Sequence, residues 1–278
     1  MKSIGFIDYY LGEWHAEHYP EWLNASGRGY AVRYAWAERD VSPATGVTTE
    51  DWCRRHGVAA CETIAEVCRK SDCICILAPD NPEKHPEYAA QVLPFGKPVF
   101  IDKTFARTPQ EAAAIFDTAG AYGARLFSSS ALRFAAELAG VRAPVPAVTV
   151  SGGAHDADVY AVHHCEIAVR LMGCGARRVL AAAAPDITAI VDYGGGRTAV
   201  IRLLRDSGVP FSFNTADGKA GDAVISSDYF AGQMRAILDL FDGGMPVDRA
   251  DTEEVIALRQ AVLKAAAQPL RWVRVERS

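Results

Sequence analysis

The stretch Gly96-Lys97-Pro98-Val99-Phe100-Ile101-Asp102-Lys103-Thr104 decides how the chain is read: a short apolar strand that stops abruptly at two charged residues. In an open α/β sheet the ligand crevice lies beyond the carboxyl ends of the strands, so Lys103 is well placed to meet a substrate. Taken alone, Asp102 and Lys103 suit a solvated strand end equally well. The surrounding sequence separates the two readings.

On either side of that stretch, strand and helix patterns alternate. Strand patterns at residues 2–8, 30–37, 72–78, 98–102 and 124–128 are separated by helical patterns at 12–25, 62–70, 83–93 and 109–119. Such alternation builds βαβ units and hence a parallel sheet covered by helices on both faces. From Val145 the pattern changes to strand-like runs at 179–183, 187–192, 198–204 and 209–213, with one helix at 162–172 before them. Gly194-Gly195-Gly196 and Asp206-Ser207-Gly208 provide the turns that hairpins require. Helical patterns at 229–241 and 252–267 close the chain, the second opened by Asp251 or Thr252 as N-cap. The expected fold class is α/β, with a doubly wound parallel sheet over residues 1–127. An α+β domain containing a mostly antiparallel sheet, serving substrate binding and oligomerisation, is expected over residues 128–278.

The 278 residues are 50% hydrophobic and 23% charged, enough for a sizeable core, and the formal net charge is −5. With no run of Lys or Arg, the chain offers no electrostatic footprint for nucleic acid or an anionic membrane, so a small-molecule substrate is the expected partner. The apolar start is too short for a signal peptide and no later run approaches a membrane span, so a cytoplasmic location is expected. None of the seven cysteines forms a C-x-x-C pair, and Cys73 and Cys75 read as small hydrophobes of a buried strand.

Four landmarks carry a family resemblance. Ala78-Pro79-Asp80-Asn81-Pro82 with His85 forms a strand-end turn followed by an early helical His. Gly96 to Thr104 is similar to a G-K-x-V-x-x-E-K-P segment, with Asp102 for Glu and Thr104 for Pro. Tyr160-Ala161-Val162-His163-His164-Cys165-Glu166 is similar to a G-x-H-x-x-D segment, and Thr252 to Leu258 to a late helix. In this order and spacing the chain resembles the Gfo/Idh/MocA family of nicotinamide-dependent oxidoreductases. The resemblance implies a Rossmann-like dinucleotide-binding domain for the first half, with NAD or NADP as cofactor and Pro79, Asn81 and His85 near it. It implies Lys103 and His163 as the catalytic pair, with Asp102, Arg133, Tyr160 and Glu166 near the substrate. His163 would exchange a proton with the substrate hydroxyl, and Lys103 would hold and polarise the same oxygen.

The first βα turn departs from the family. Where G-x-G-x-x-G/A is expected, the chain has Asp8-Tyr9-Tyr10-Leu11-Gly12-Glu13. Glycines there allow a tight turn and a close approach of backbone to the pyrophosphate on the helix N-terminus. Asp8 and Tyr10, which a cofactor would meet instead, supply neither, and a carboxylate at Asp8 repels a diphosphate unless turned away or paired. The second strand does end in Glu38-Arg39, an acid positioned for a ribose hydroxyl beside an Arg that can meet a 2′-phosphate.

His155, Asp156, Asp158, His163, His164 and Glu166 crowd into twelve residues, but only His163 and Glu166 at i, i+3 share a helix face, and no metal is expected. His164 points off that face and reads as a packing residue. The leading expectation is an NAD(P)-dependent oxidoreductase of a sugar, cyclitol or related hydroxylated substrate, assembled as a homo-oligomer. The alternative is a divergent member without ordinary cofactor use: a lyase, an isomerase or a non-catalytic binding or regulatory subunit.

Overall fold

The computed structural model describes residues 1–216 and 223–278. It divides into two compact units. The first comprises Met1–Ala106, Glu111–Ser129 and Gln233–Asp248, and the second Arg107–Gln110, Ser130–Gly232 and Arg249–Ser278.

In chain order the first part runs β1 (Lys2–Asp8), α1 (Trp14–Asn24), β2 (Tyr30–Ala37), α2 (Thr49–His56), β3 (Ala59–Ala60), α3 (Ile64–Lys70) and β4 (Cys73–Ile76). It continues through α4 (His85–Val92), β5 (Val99–Ile101), α5 (Pro109–Ala121) and β6 (Leu126–Phe127). The six strands form one parallel sheet in the order β3-β2-β1-β4-β5-β6. The chain winds outward from β1 to one edge and from β4 to the other, so the order reverses between β1 and β4. That switch point leaves a crevice beyond the carboxyl ends of the central strands. β1 is buried from Ile4 to Asp8, and Cys73 to Ile76 of β4 are buried, as strands covered on both faces must be. At Gly5 a Cβ would stand 2.4 Å from Val67 Cγ1, so a side chain there would push α3 off the sheet.

The second part runs α6 (Ala136–Ala139), β7 (Ala147–Gly153), α7 (Ala157–Met172), β8 (Arg178–Ala183), β9 (Ile187–Gly194), β10 (Arg197–Leu204), β11 (Ser212–Thr215) and β12 (Ala223–Val224). It closes with α8 (Tyr229–Phe241), α9 (Arg249–Ala267) and β13 (Val273–Arg274). The sheet order is β12-β11-β7-β10-β9-β8-β13, antiparallel at every pairing except β7 with β10. Val148, Val150, Val179, Val191 and Ile201 of one face pack with Cys165, Ala168, Leu258 and Val262 from α7 and α9.

Several elements differ from the sequence expectation. α2 and the short β3, α6, β12 and β13 are absent from it, α7 begins at Ala157 rather than residue 162, and α9 begins at Arg249 rather than residue 252. The α7 difference has a local cause: Asp156 Oδ1 accepts the Asp158 amide at 2.9 Å and starts the helix early. From Gln233 onward α8 belongs to the first unit, where Arg28 meets Asp239 and Asp242 at 2.6 Å each and the Tyr30 hydroxyl donates to Asp242 at 2.6 Å. Among the described residues no helix is long and apolar enough to cross a membrane.

Candidate active site

Within the first unit, the expected residues gather at the carboxyl ends of β1, β4 and β5. Val99, Phe100 and Ile101 are fully buried and carry the chain to Asp102, itself buried, and to Lys103, 8% exposed. Lys103 Nζ donates to the Pro79 carbonyl at 3.3 Å, which ties the strand end of β5 to the turn after β4. Asp102 Oδ1 accepts the Lys103 amide at 2.8 Å, and its Oδ2 faces Nδ1 of His15. Burial raises the Asp102 carboxyl, but His15 and Lys103 outweigh it and hold the group below its usual range. His15 is fixed in turn by the Tyr19 hydroxyl at 3.3 Å, and that hydroxyl donates to Gln233 at 3.0 Å.

The turn after β1 is built differently from a glycine-rich one. Asp8, 1% exposed, accepts the amides of Tyr9 at 2.7 Å and Ala78 at 3.0 Å through Oδ1. The second of these holds Ala78 in a left-handed conformation, φ 54°, that costs a non-glycine residue about 1 kcal/mol. Burial, reinforced by Glu13, pushes the Asp8 carboxyl well above its usual range. Tyr10 is buried, with its hydroxyl 3.4 Å from Asp80, and its pKa is pushed up to about 12, chiefly by burial. Glu13 caps α1: Oε2 accepts the His15 amide at 2.7 Å and Oε1 accepts the Ala16 amide.

The remaining expected cofactor residues divide. Glu38 is exposed but engaged, accepting from Lys84 Nζ at 2.6 Å and the Tyr88 hydroxyl at 2.8 Å; desolvation is the largest single influence and raises its pKa, but these two bonds and the Lys84 charge together outweigh it and lower the pKa. Arg39 lies over the Tyr9 ring at 5.8 Å, and Lys84 lies 5.4 Å from the same ring. Pro79 is buried behind its carbonyl bond to Lys103, and Asn81 donates to Glu83 at 2.9 Å. His85, expected near the cofactor, turns its ring inward. Its ring is wholly buried, Nε2 2.5 Å from the Leu77 carbonyl and Nδ1 2.9 Å from that of Thr104, and burial lowers its pKa. It joins the ends of β4 and β5 as a structural residue.

Within the second unit, four expected residues meet around the first turns of α7. His163 is half-buried, with Nδ1 2.7 Å from the Ser130 hydroxyl oxygen. The Tyr160 ring lies between those of His155 and His163, tilted to each, at centroid distances of 4.7 and 5.7 Å. Glu166, buried, accepts the Ser130 amide at 3.1 Å and Arg133 at 2.9 Å, while Arg133 reaches Asp251 with its other nitrogen. Burial lifts the Glu166 carboxyl and Arg133 opposes it. Both nitrogens of His164 face backbone carbonyls in the interior, and Asp158 is bound to Arg259 at 2.7 Å. Among the described residues no group of three His, Cys, Asp or Glu is placed to hold a metal ion.

Sequence reasoning did not single out Glu13, His15 or Ser130. Glu13 carried no readable signal, because it falls inside the helical pattern expected over 12–25 and Glu is not among the usual N-cap residues. The His15–Asp102 contact, 87 residues apart, and the Ser130–His163 contact, 33 apart, carried none.

The first unit's strand order and its switch point define a doubly wound domain of Rossmann type, with a lysine at one strand end. Residues 14–130 match the model of the Gfo/Idh/MocA family, described as oxidoreductase family, NAD-binding Rossmann fold, whose cofactors are NAD or NADP. The match begins after β1 and its turn. No curated protein matches the chain in sequence. Among solved structures, GenD2 from gentamicin A biosynthesis, in complex with NAD, is 16% identical, with a TM-score of 0.77, covering 98% of this chain and 96% of that one. UDP-N-acetylglucosamine 3-dehydrogenase GnnA from Acidithiobacillus ferrooxidans is 14% identical, with a TM-score of 0.78, covering 97% and 99%. Biliverdin reductase from Synechocystis sp. PCC 6803, in complex with biliverdin and NADP+, is 14% identical, with a TM-score of 0.70, covering 95% and 99%. At these identities the likeness is one of fold.

At the family's diphosphate seat the residues present do not fit. The amides of His15 and Ala16 already serve Glu13. At Gly12, φ 85°, a Cβ would stand 3.1 Å from Thr45 Oγ1 and 3.2 Å from Val47 Cβ, so the close approach that glycine permits is used by the chain's own loop.

Proposed function

We propose that the protein is an NAD- or NADP-dependent oxidoreductase acting on the CH–OH group of a sugar, cyclitol or related hydroxylated substrate, with Lys103 and His163 acting on the reacting oxygen. The observation that carries this reading is Lys103 itself: a buried ammonium at the carboxyl end of β5, next to the switch point of a family-typed sheet, held by a carbonyl rather than by a carboxylate within ion-pair distance. An ammonium so placed can stabilise an oxygen that gains negative charge as its proton leaves. His163 is the group to take that proton, because an imidazole with Nδ1 against a hydroxyl can exchange a proton at Nε2. GnnA, a UDP-sugar dehydrogenase by name, supports a hydroxylated substrate. The test is turnover: incubation with NAD or NADP and a panel of polyols and sugars, read as reduced nicotinamide, with Lys103→Ala and His163→Ala as controls.

One observation favours a second reading, a family member without ordinary cofactor use: the carboxylate of Glu13 on the N-terminus of α1. A lyase, an isomerase or a binding subunit would leave the nicotinamide oxidation state unchanged in the same assay.

A further inference from the structure

In a Rossmann domain the diphosphate is held at the N-terminus of the first helix, where unpaired amides and the positive end of the helix dipole favour an anion. In this chain an anion is built in. Glu13, 7% exposed, takes the second and third amides of α1 with its two carboxylate oxygens, and its own carbonyl takes the Glu17 amide at 3.0 Å. A separate observation marks the same spot as crowded with acid: Asp8 Oδ2, wholly buried at the end of β1, has no hydrogen-bond partner. The loop carrying Thr45 and Val47 closes over Gly12 as well, with Thr45 Oγ1 donating to the Gly12 carbonyl at 3.2 Å.

We infer that Glu13 is the residue that sets this chain's affinity for a dinucleotide: its carboxylate and the cofactor's diphosphate compete for the same amides of α1, and tight binding requires Glu13 to leave them. The inference rests on the NAD(P)-dependent reading proposed above and deepens it. Asp8 and Tyr10 occupy the family's glycine positions, but neither takes an amide of α1, so neither competes in this direct way.

The competition has a pH signature. The titratable groups around Glu13 are Asp8 at the end of β1, Tyr10 in the turn, His15 and Tyr19 on α1, and Asp102 beyond β5. Burial pushes the Glu13 carboxyl up to about 7, with His15 and the two amides opposing and Asp102 adding to the rise. Below that pH the side chain carries a proton and repels a diphosphate less.

The test is calorimetric or fluorescence titration of the full-length protein with NADH and NADPH at pH 6 and pH 8. Wild type is compared with Glu13→Ala, which vacates the amides, and Glu13→Gln, which removes the charge but keeps the shape. Freeing two amide N–H groups to donate to the diphosphate should tighten binding in Glu13→Ala by at least about tenfold at pH 8. The Gln variant should show a smaller gain in the same direction, and it decides the matter if the Ala variant does not fold. Wild-type affinity should rise from pH 8 to pH 6, and that of Glu13→Gln should change less. Measurable binding with equal dissociation constants in wild type and a folded variant overturns the role of Glu13 and leaves the oxidoreductase reading standing. Absence of nucleotide binding in wild type and in both variants overturns both.

Discussion

Ser130 Oγ lies 2.7 Å from Nδ1 of His163, while the Ser130 amide donates to Glu166 at 3.1 Å, so one residue both orients the imidazole and is itself pinned. A hydroxyl can donate to a bare Nδ1 or accept from a protonated one, so it follows the proton as Nε2 gives it up or takes it. A carboxylate in the same place would favour the imidazolium alone.

Ser130→Ala is therefore expected to lower turnover by about three- to tenfold, the worth of one orienting hydrogen bond. The discriminating readout is the 15N spectrum of His163: neutral imidazole in wild type should carry its proton on Nδ1, donated to Ser130 Oγ, leaving Nε2 unprotonated to take the substrate's proton, and the variant should show a mixture of tautomers. Ser130→Thr should restore the wild-type spectrum. An unchanged tautomer in Ser130→Ala would remove the positioning role.

Glu13 also makes stability depend on pH. Its carboxyl is raised in the folded state to about 7, above an unfolded value near 4.5, so between those pH values the folded state binds more protons. Stability from this group is greatest below about 4.5 and is lost as pH rises through 7, a difference on the order of a few kcal/mol. Glu13→Gln should raise Tm more at pH 8 than at pH 5 in paired thermal melts. A gain that is independent of pH would contradict the assignment.

Arg133 lies between two acids, and its side chain is 10% exposed against 4% for Glu166. Arg133→Met should cost about 3–5 kcal/mol in urea unfolding, because it leaves Glu166 buried without its cation. Adding Glu166→Gln should recover part of that loss. The deficit of the single variant should shrink at low pH, where Glu166 takes a proton. A loss below 1 kcal/mol, well short of that range, would show the ion pair to be energetically idle.

The helix-free face of the second sheet presents a row of Leu180, Ile190, Val200, Thr149 and Asn214, fixed by the strand register, with Ile190 39% exposed. The homo-oligomer expected from the sequence is expected to form through this face. Light scattering should then give more than the monomer mass, and Ile190→Asp should reduce it. A wild-type monomer at high micromolar concentration would rule the arrangement out.

How much was legible varies with the physics of each element. β1, β4 and β5 were readable because strands buried on both faces are continuous apolar runs. α2 was not, since only Trp52 and Cys53 of its eight residues are buried and an apolar stripe so short gives no period. It is set instead by local chemistry, the Thr48 hydroxyl accepting the Asp51 amide at 3.1 Å and Gly57 closing the helix at φ 64°. In the candidate site, Lys103 and His163 declared themselves by motif, and the loss of glycines after β1 was plain. What replaced them was not, because the capping of α1 by Glu13 and the pairing of His15 with Asp102 depend on how the turn folds back on the helix.

The central claim is that Lys103 and His163 act in a nicotinamide-dependent oxidation of a hydroxylated substrate. Its most direct test is the appearance of NADH or NADPH, followed by absorbance, when wild type, Lys103→Ala and His163→Ala meet the polyol and sugar panel at matched circular dichroism. Wild type is expected to reduce the cofactor with at least one substrate, and each variant to lose about 10²-fold or more in rate, as removal of a group acting on the reacting oxygen demands. Rates in either folded variant equal to wild type would contradict the account.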